Sequence, residues 1–187
     1  MLKVVSAPTS EVITLAELKK HVRVDTADDN SVLETLLKAA TEKFEERAMI
    51  TVRPTGFELT LPGFGSCIEL PAYPLRAVTS ISYVDTDGMT QAVSSANYSV
   101  VETPEGARIV FNDNWSAPSL DDDVPEPVTI AFEAGYDDPE STEGDLPLKA
   151  KIQIAIVMLV GHWYDGGGVA DLPFGFESIA KQERIFR

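Results

Sequence analysis

The side chains best suited to chemistry in this sequence are one cysteine, Cys67, and two histidines, His21 and His162. A nucleophile needs a base beside it, and a structural zinc ion needs four ligands. Cys67 lies in an apolar strand pattern, which predicts burial as a small hydrophobic residue. His21 suits a helix C-terminus, and His162 beside Trp163 indicates a core or interface position. The sequence therefore predicts no catalytic residue, no cofactor and no metal site.

The acidic and glycine-rich runs offer little more chemistry. Asp85-Thr-Asp87-Gly88 partly matches a calcium loop, but the glycine comes too early and no glutamate closes the site. A solvated hairpin turn is the better interpretation. Residues 121–123 are three aspartates that could hold a hard cation, although such runs are usually solvated. Gly166-Gly-Gly168 follows a helix and lacks the Lys-Ser/Thr pair of a phosphate-binding loop.

Composition narrows the class of protein. The chain has 187 residues, with 15 Lys and Arg against 30 Asp and Glu, and its net charge is −15. This excess of acidic residues argues against binding to nucleic acid, because phosphate binding needs clustered cations. A single cysteine allows no internal disulfide and favours a cytoplasmic origin. The apolar runs are too short for a signal peptide or a membrane span, so a soluble protein is expected.

Two helices are predicted near the N-terminus. Thr14 and Glu17 form a capping box before a helix at about 15–22. Residues 25–30 supply further caps, with Thr26 and Asp29 at capping-box spacing, before a second helix at about 29–48. The apolar residues of the second helix recur at helical intervals and are assigned to the core: Leu33, Leu36, Leu37 and Phe44.

Residues 146–164 predict a third helix, apolar on nearly every face, that begins at Pro147 and ends before Gly166. A helix of this kind must be buried on most faces. We therefore expect it to be the central helix of the domain, on which the other elements pack, with Ile156, Leu159 and Trp163 in the core.

The middle of the chain changes to a strand period. Between residues 56 and 133, β-branched and aromatic runs alternate with turn residues, which predicts six or seven short antiparallel strands. The predicted fold class is α+β: a small helical bundle with an inserted antiparallel β domain. We expect one domain over 1–187, with a helical core from 1–53 and 146–187 and a β-rich insertion at 54–145.

Five segments in a fixed order carry a family resemblance; they are residues 13–25, 33–46, 70–88, 130–136 and 146–164. Together they resemble the head–tail connector (adaptor) family of tailed bacteriophages and prophages, over almost the whole chain. The chain departs after Tyr164, where the family commonly continues with Glu-Asn-Arg-like residues and this chain has Asp165-Gly-Gly-Gly168.

The resemblance implies a structural role in the virion neck. Such adaptors, made in the bacterial cytoplasm, form a ring of commonly twelve copies beneath the portal protein. They extend the DNA channel and provide a platform for the stopper and the tail. The resemblance implies no enzyme activity, no cofactor and no membrane, and DNA passes through the lumen without sequence-specific binding. The acidic balance fits such a conduit, because carboxylates repel the phosphate backbone.

The C-terminal tail, residues 169–187, is expected to carry the portal contact and to be mobile, uncoupled by Gly166-Gly-Gly168. Its apolar and basic residues are the candidate portal-binding set: Phe174, Phe176, Ile179, Arg184, Ile185, Phe186 and Arg187. The alternative is that Phe174 and Phe176 fold back to cover the protomer's own core.

Other classes of protein stay open. One is another head-completion or tail protein, such as a stopper, or a β-sandwich binding module. A stopper is expected to be mostly β, so helix content discriminates. The other is a carboxylate enzyme such as a glycosidase, but no spacing in the sequence selects a pair of acids.

Overall fold

A computed structural model of the chain describes residues 1–8, 11–103, 106–137 and 146–185. The chain divides into two compact units. Residues 1–7 and 54–135 belong to a β-rich unit, and residues 8–53 and 136–186 belong to a helical unit. The described residues contain four helices and two antiparallel sheets, so the fold class is α+β.

The β-rich unit contains a five-stranded and a three-stranded sheet, both antiparallel. In spatial order the larger sheet consists of β1 (Leu2–Ser6), β2 (Thr55–Leu61), β8 (Val128–Ala134), β4 (Leu75–Val84) and β5 (Thr90–Ala92). The smaller sheet consists of β3 (Cys67–Leu70), β7 (Gly106–Phe111) and β6 (Tyr98–Thr103).

One hydrophobic core joins the two sheets. Phe57 of β2 and Phe132 of β8 are register partners, and their rings stack at 5.5 Å between centroids. Ile68 and Ile109 of the smaller sheet belong to the same buried cluster. Alternate residues of β2, β8 and β3 therefore point to a shared interior, as in a sandwich.

Strand β1 is absent from the sequence prediction, which places residues 1–53 in the helical part. It pairs with β2, with Leu2 opposite Leu59 and Val4 opposite Phe57. All five residues of β1 are exposed. An edge strand that buries nothing has no periodic pattern to detect, because a strand is recognised by its alternating burial.

The helical unit contains α1 (Leu15–Val22), α2 (Asn30–Ala48), α3 (Ala150–Tyr164) and α4 (Phe174–Glu183). The Thr14 hydroxyl accepts from the Glu17 N–H at 3.3 Å and donates to the Glu17 carboxylate at 3.0 Å. The N-terminus of α1 is therefore capped as its sequence predicts. Among the described residues, no helix has the length and apolarity needed to cross a membrane.

Helix α2 begins after Asp29, but the Asp29 side chain makes no capping hydrogen bond. Its carboxylate instead accepts from the Tyr164 hydroxyl at 2.7 Å, at the far end of α3. The predicted cap residue is thus used to join two helices that lie 135 residues apart in sequence.

Helix α3 begins at Ala150, later than predicted. Pro147 forms an isolated parallel bridge with Asp137, whose N–H donates to the Leu146 carbonyl at 2.7 Å. The Asp137 carboxylate accepts from the Leu146 N–H at 2.8 Å. These bonds hold the segment before α3 extended, so Pro147 does not occupy the first helical turn.

The predicted core residues fall into two groups. Five are buried: Leu33, Leu37, Phe44, Ile156 and Leu159. Leu36 and Trp163 are only partly buried, which corrects the expectation of full burial for Trp163. Trp163 lies in the last turn of α3, where fewer neighbours surround the helix than at its centre.

Candidate functional site

The cysteine and the two histidines lie on three different elements. Cys67 lies on β3 of the β-rich unit, whereas His21 and His162 lie on α1 and α3 of the helical unit. Cys67 is exposed, which corrects the prediction of burial. Ile68 and Leu70 of the same strand point into the core, so the strand alternation turns Cys67 outward.

The carboxylates of the two acidic turns accept hydrogen bonds from their own turns. Asp85 accepts from the N–H groups of Asp87 and Met89 at 3.1 and 2.9 Å and from the Gln91 amide at 2.8 Å. The hydrogen bond from Gln91, followed by that from Met89, lowers the pKa of Asp85 below its ordinary value. Asp121 accepts from the Asp123 N–H at 2.9 Å. Both turns are stabilised by their own carboxylates.

Among the described residues, no group of three or more His, Cys, Asp or Glu side chains could hold a metal ion. We therefore expect calcium or magnesium to leave the melting temperature nearly unchanged, because a ligand stabilises only the state it binds. Differential scanning fluorimetry across a metal titration measures this. A large, saturable rise at low millimolar metal would contradict the expectation.

The three glycines 166–168 form the turn that ends α3 and do not act as a flexible linker to the tail. A Cβ at Gly167 would lie 2.4 Å from the His162 ring, and the Gly167 N–H donates to the His162 carbonyl at 2.9 Å. Gly166 has φ +87°, a conformation that favours glycine. The expectation of an uncoupled linker is therefore wrong, because Gly167 packs against the His162 ring and Gly166 turns the backbone.

The tail continues as α4, which contacts α2 and α3. Phe176 is fully buried and its ring meets Phe44 edge-on at 5.8 Å, while Ile185 is 8% exposed. Phe176 therefore follows the alternative in which it folds back onto the protomer's own core. The prediction that Ile185 faces a partner is wrong, because Ile185 is buried and its N–H donates to the Ala48 carbonyl at 3.1 Å. Phe174 is 88% exposed.

The other candidate portal-binding residues of the tail differ in their exposure. Ile179 is partly buried and Arg184 is exposed. Phe186 and Arg187 lie outside the described residues. Of the candidate portal-binding set, the structure therefore leaves Phe174 and Arg184 on the surface.

A charged cluster that the sequence does not predict fixes the end of α4. Glu183 pairs with Lys149 at 2.7 Å and with Lys151. Only 6% of the Glu183 side chain is exposed. Burial raises the pKa of Glu183, but the hydrogen bonds from Lys149 and Lys151 outweigh it and hold the pKa below its ordinary value. Lys149 and Glu183 are 34 residues apart, so no local spacing in the sequence indicates their pairing.

This cluster predicts a pH dependence. A carboxyl with a lowered folded pKa contributes stability above its unfolded pKa, and that contribution is lost as pH falls through the folded pKa. We expect Glu183→Gln to lower the melting temperature at pH 7 and the deficit to shrink toward pH 3. Glu46→Gln is the control, because Glu46 forms an exposed pair with Lys43 and such pairs contribute little. A deficit of Glu183→Gln that stays constant with pH would contradict the assignment.

The sequence model of the phage gp6-like head-tail connector protein family matches residues 12–112, just over half of the chain. The chain belongs to this family. The connector therefore has a structural role between head and tail. No curated protein sequence matches it.

Solved structures add fold similarity over the full chain. One is described as "Neck of empty GTA particle computed with C6 symmetry", with 26% identity and a TM-score of 0.79. Another is "Neck of native GTA particle computed with C12 symmetry", with 26% identity and a TM-score of 0.77. A third, "Virion of native gene transfer agent (GTA) particle", has 24% identity and a TM-score of 0.79 and shows the fold alone. Each covers 100% of the connector and 96% of the matched chain.

Proposed function

We propose that the connector forms a ring of twelve copies beneath the portal protein, in the neck of a virion. The ring extends the DNA channel and provides the platform for the stopper and the tail. The observation that carries this proposal is the full-length similarity to chains from particle necks analysed with C6 and C12 symmetry. The four helices in the described part of the chain favour an adaptor over a stopper, which is expected to be mostly β.

The charge balance supports passage of DNA without sequence-specific binding. The net charge is −15, and between Arg108 and Lys149 the sequence contains eleven acids and no basic residue. We propose that some of these acids, or those at 25–29, face the lumen or a partner. Carboxylates in a lumen repel phosphates, so they let DNA slide.

The portal contact is proposed for the exposed part of the tail. Phe174 is the most exposed large apolar side chain in the described chain, and Arg184 lies near the far end of α4. An exposed aromatic side chain is suited to an interface anchor, and the Arg184 guanidinium can pair with a carboxylate of the partner. Phe186 and Arg187 stay in this proposal as sequence-based candidates.

The connector is proposed to be a structural protein, not an enzyme, that needs no cofactor or membrane. Its organisation is proposed as one domain, in which the sequence of the helical unit, residues 8–53 and 136–186, is interrupted by the β-rich segment 54–135, and strand β1 belongs to the β-rich unit. In this arrangement α3 is the central helix on which the other helices pack.

A genetic experiment tests the proposed function. Particles assembled without the connector should contain heads but no attached tails, because the platform for the stopper is missing. Supplying the wild-type chain in trans should restore tailed particles. Electron microscopy of the particles reads out both results. Normal numbers of tailed particles in the absence of the connector would contradict the proposal.

A further inference from the structure

Helix α3 is apolar around its circumference, yet one stripe of it is uncovered. Ile154 is 55% exposed and Met158, one turn further on, is 40% exposed. Val157, the α1 residue Val22 and Ile13, which precedes α1, line the same depression, a groove of about 360 Å³ between α1 and α3. Within the described helical unit, this groove leaves a central apolar helix open to water. Exposed apolar surface of this kind marks an interaction site.

The segment that contributes His21 and Val22 to the groove also carries cations. Residues 19–23 contain Lys19, Lys20, His21 and Arg23, and no acid occurs between residues 18 and 24. Lys20, His21 and Arg23 are exposed, and His21 itself lines the groove. Glu17, the nearest acid of α1, is engaged by Thr14 in the helix cap. The groove therefore favours an apolar side chain that is flanked by carboxylates.

One end of the β-rich unit has this complementary chemistry. The β4–β5 hairpin presents Met89, which is 61% exposed, beside Asp85 and exposed Asp87. The acidic turn at 121–123 adjoins the hairpin, because the Asp121 N–H donates to the Val84 carbonyl at 3.1 Å. The acceptor bonds of Asp85 fix the turn that holds Met89. We define residues 85–89 as the hairpin tip.

We propose that the hairpin tip of one copy docks Met89 into the α1–α3 groove of the next copy around the ring. This inference rests on the proposed ring function. A ring needs a heterologous contact, in which two different surfaces of the same chain meet. The hairpin tip belongs to the β-rich unit and the groove belongs to the helical unit, so they are two different surfaces of the same chain. Opposite charges around them orient the contact and disfavour pairing of like surfaces.

Disulfide trapping tests the contact. The variant combines Met89→Cys with Ile154→Cys in a Cys67→Ser background, and rings are assembled on the portal before mild oxidation. The control combines Met89→Cys with Lys38→Cys, because Lys38 is exposed on α2 and does not line this groove. We expect a ladder of cross-linked multimers with roughly tenfold more product than the control, because docking raises the effective thiol concentration.

Charge reversal provides a second, independent measurement. Lys20→Glu with Arg23→Glu should weaken ring formation roughly three- to tenfold, the range expected for two exposed pairs. Adding Asp87→Lys should restore part of it. Rings that form normally without cross-links above the control would overturn this contact and leave the proposed function standing. Failure of the wild-type chain to form any ring would overturn both.

Discussion

Replacing Ile156 with alanine is expected to lower the free energy of unfolding by about 2–5 kcal/mol. Ile156 is fully buried at the centre of α3, which contacts α1, α2 and α4. The substitution removes apolar contacts on every side of the residue and leaves a cavity that the packed helices fill only in part. Urea unfolding followed by circular dichroism measures the change.

Ile154→Ala is the matched control for this prediction. It makes the same chemical change two residues away on the same helix, but Ile154 is 55% exposed. We expect it to change the free energy of unfolding by about 0.5 kcal/mol or less, as is usual for surface positions. Equal midpoints for Ile156→Ala and wild type would show that α3 is not the packing centre of the helical unit.

Replacing Phe176 with alanine is expected to cost about 3–5 kcal/mol, as large aromatic truncations in cores do. Phe176 is fully buried in α4 and meets Phe44 of α2 edge-on. Phe174→Ala is the control, since Phe174 precedes it by two residues in the same helix and is 88% exposed. Its stability should match that of wild type in the same urea experiment.

The same pair of variants separates folding from portal binding. Phe174→Ala should weaken binding to the portal protein, measured by co-sedimentation, while its unfolding midpoint stays unchanged. Aromatic anchors at interfaces typically contribute about 2 kcal/mol or more. A Phe176→Ala chain as stable as wild type would contradict the packing of α4. A Phe174→Ala chain that binds the portal normally would remove Phe174 from the contact.

Elements with a local signature could be predicted from the sequence. The capping box at Thr14 and Glu17 gave α1 with its observed bounds, 15–22. The Asp87-Gly88 turn gave the β4–β5 hairpin, and the change of period near Pro54 gave the start of the β-rich segment. In each case the residues that determine the structure are neighbours in the sequence.

Features that depend on distant contacts could not be predicted in this way. Helix α4 is held in place by the contact of Phe176 with Phe44 and by the ion pairs of Glu183 with Lys149 and Lys151. No periodic pattern in the sequence indicates either contact. The role of Gly167 is visible only once the His162 ring lies against it. The sequence indicated the exposed stripe on α3 only indirectly. A helix that is apolar on nearly all faces has to be buried on all of them, and the other helices of one protomer do not bury every face of α3.

The central claim, that the connector is a ring-forming neck component, is tested most directly by imaging. Purified connector is mixed with its portal protein and examined by negative-stain electron microscopy with two-dimensional averaging. We predict an added ring of density, coaxial with the portal, with twelvefold symmetry in end views. Portal particles indistinguishable from those without connector, at connector concentrations well above the portal concentration, would contradict the claim.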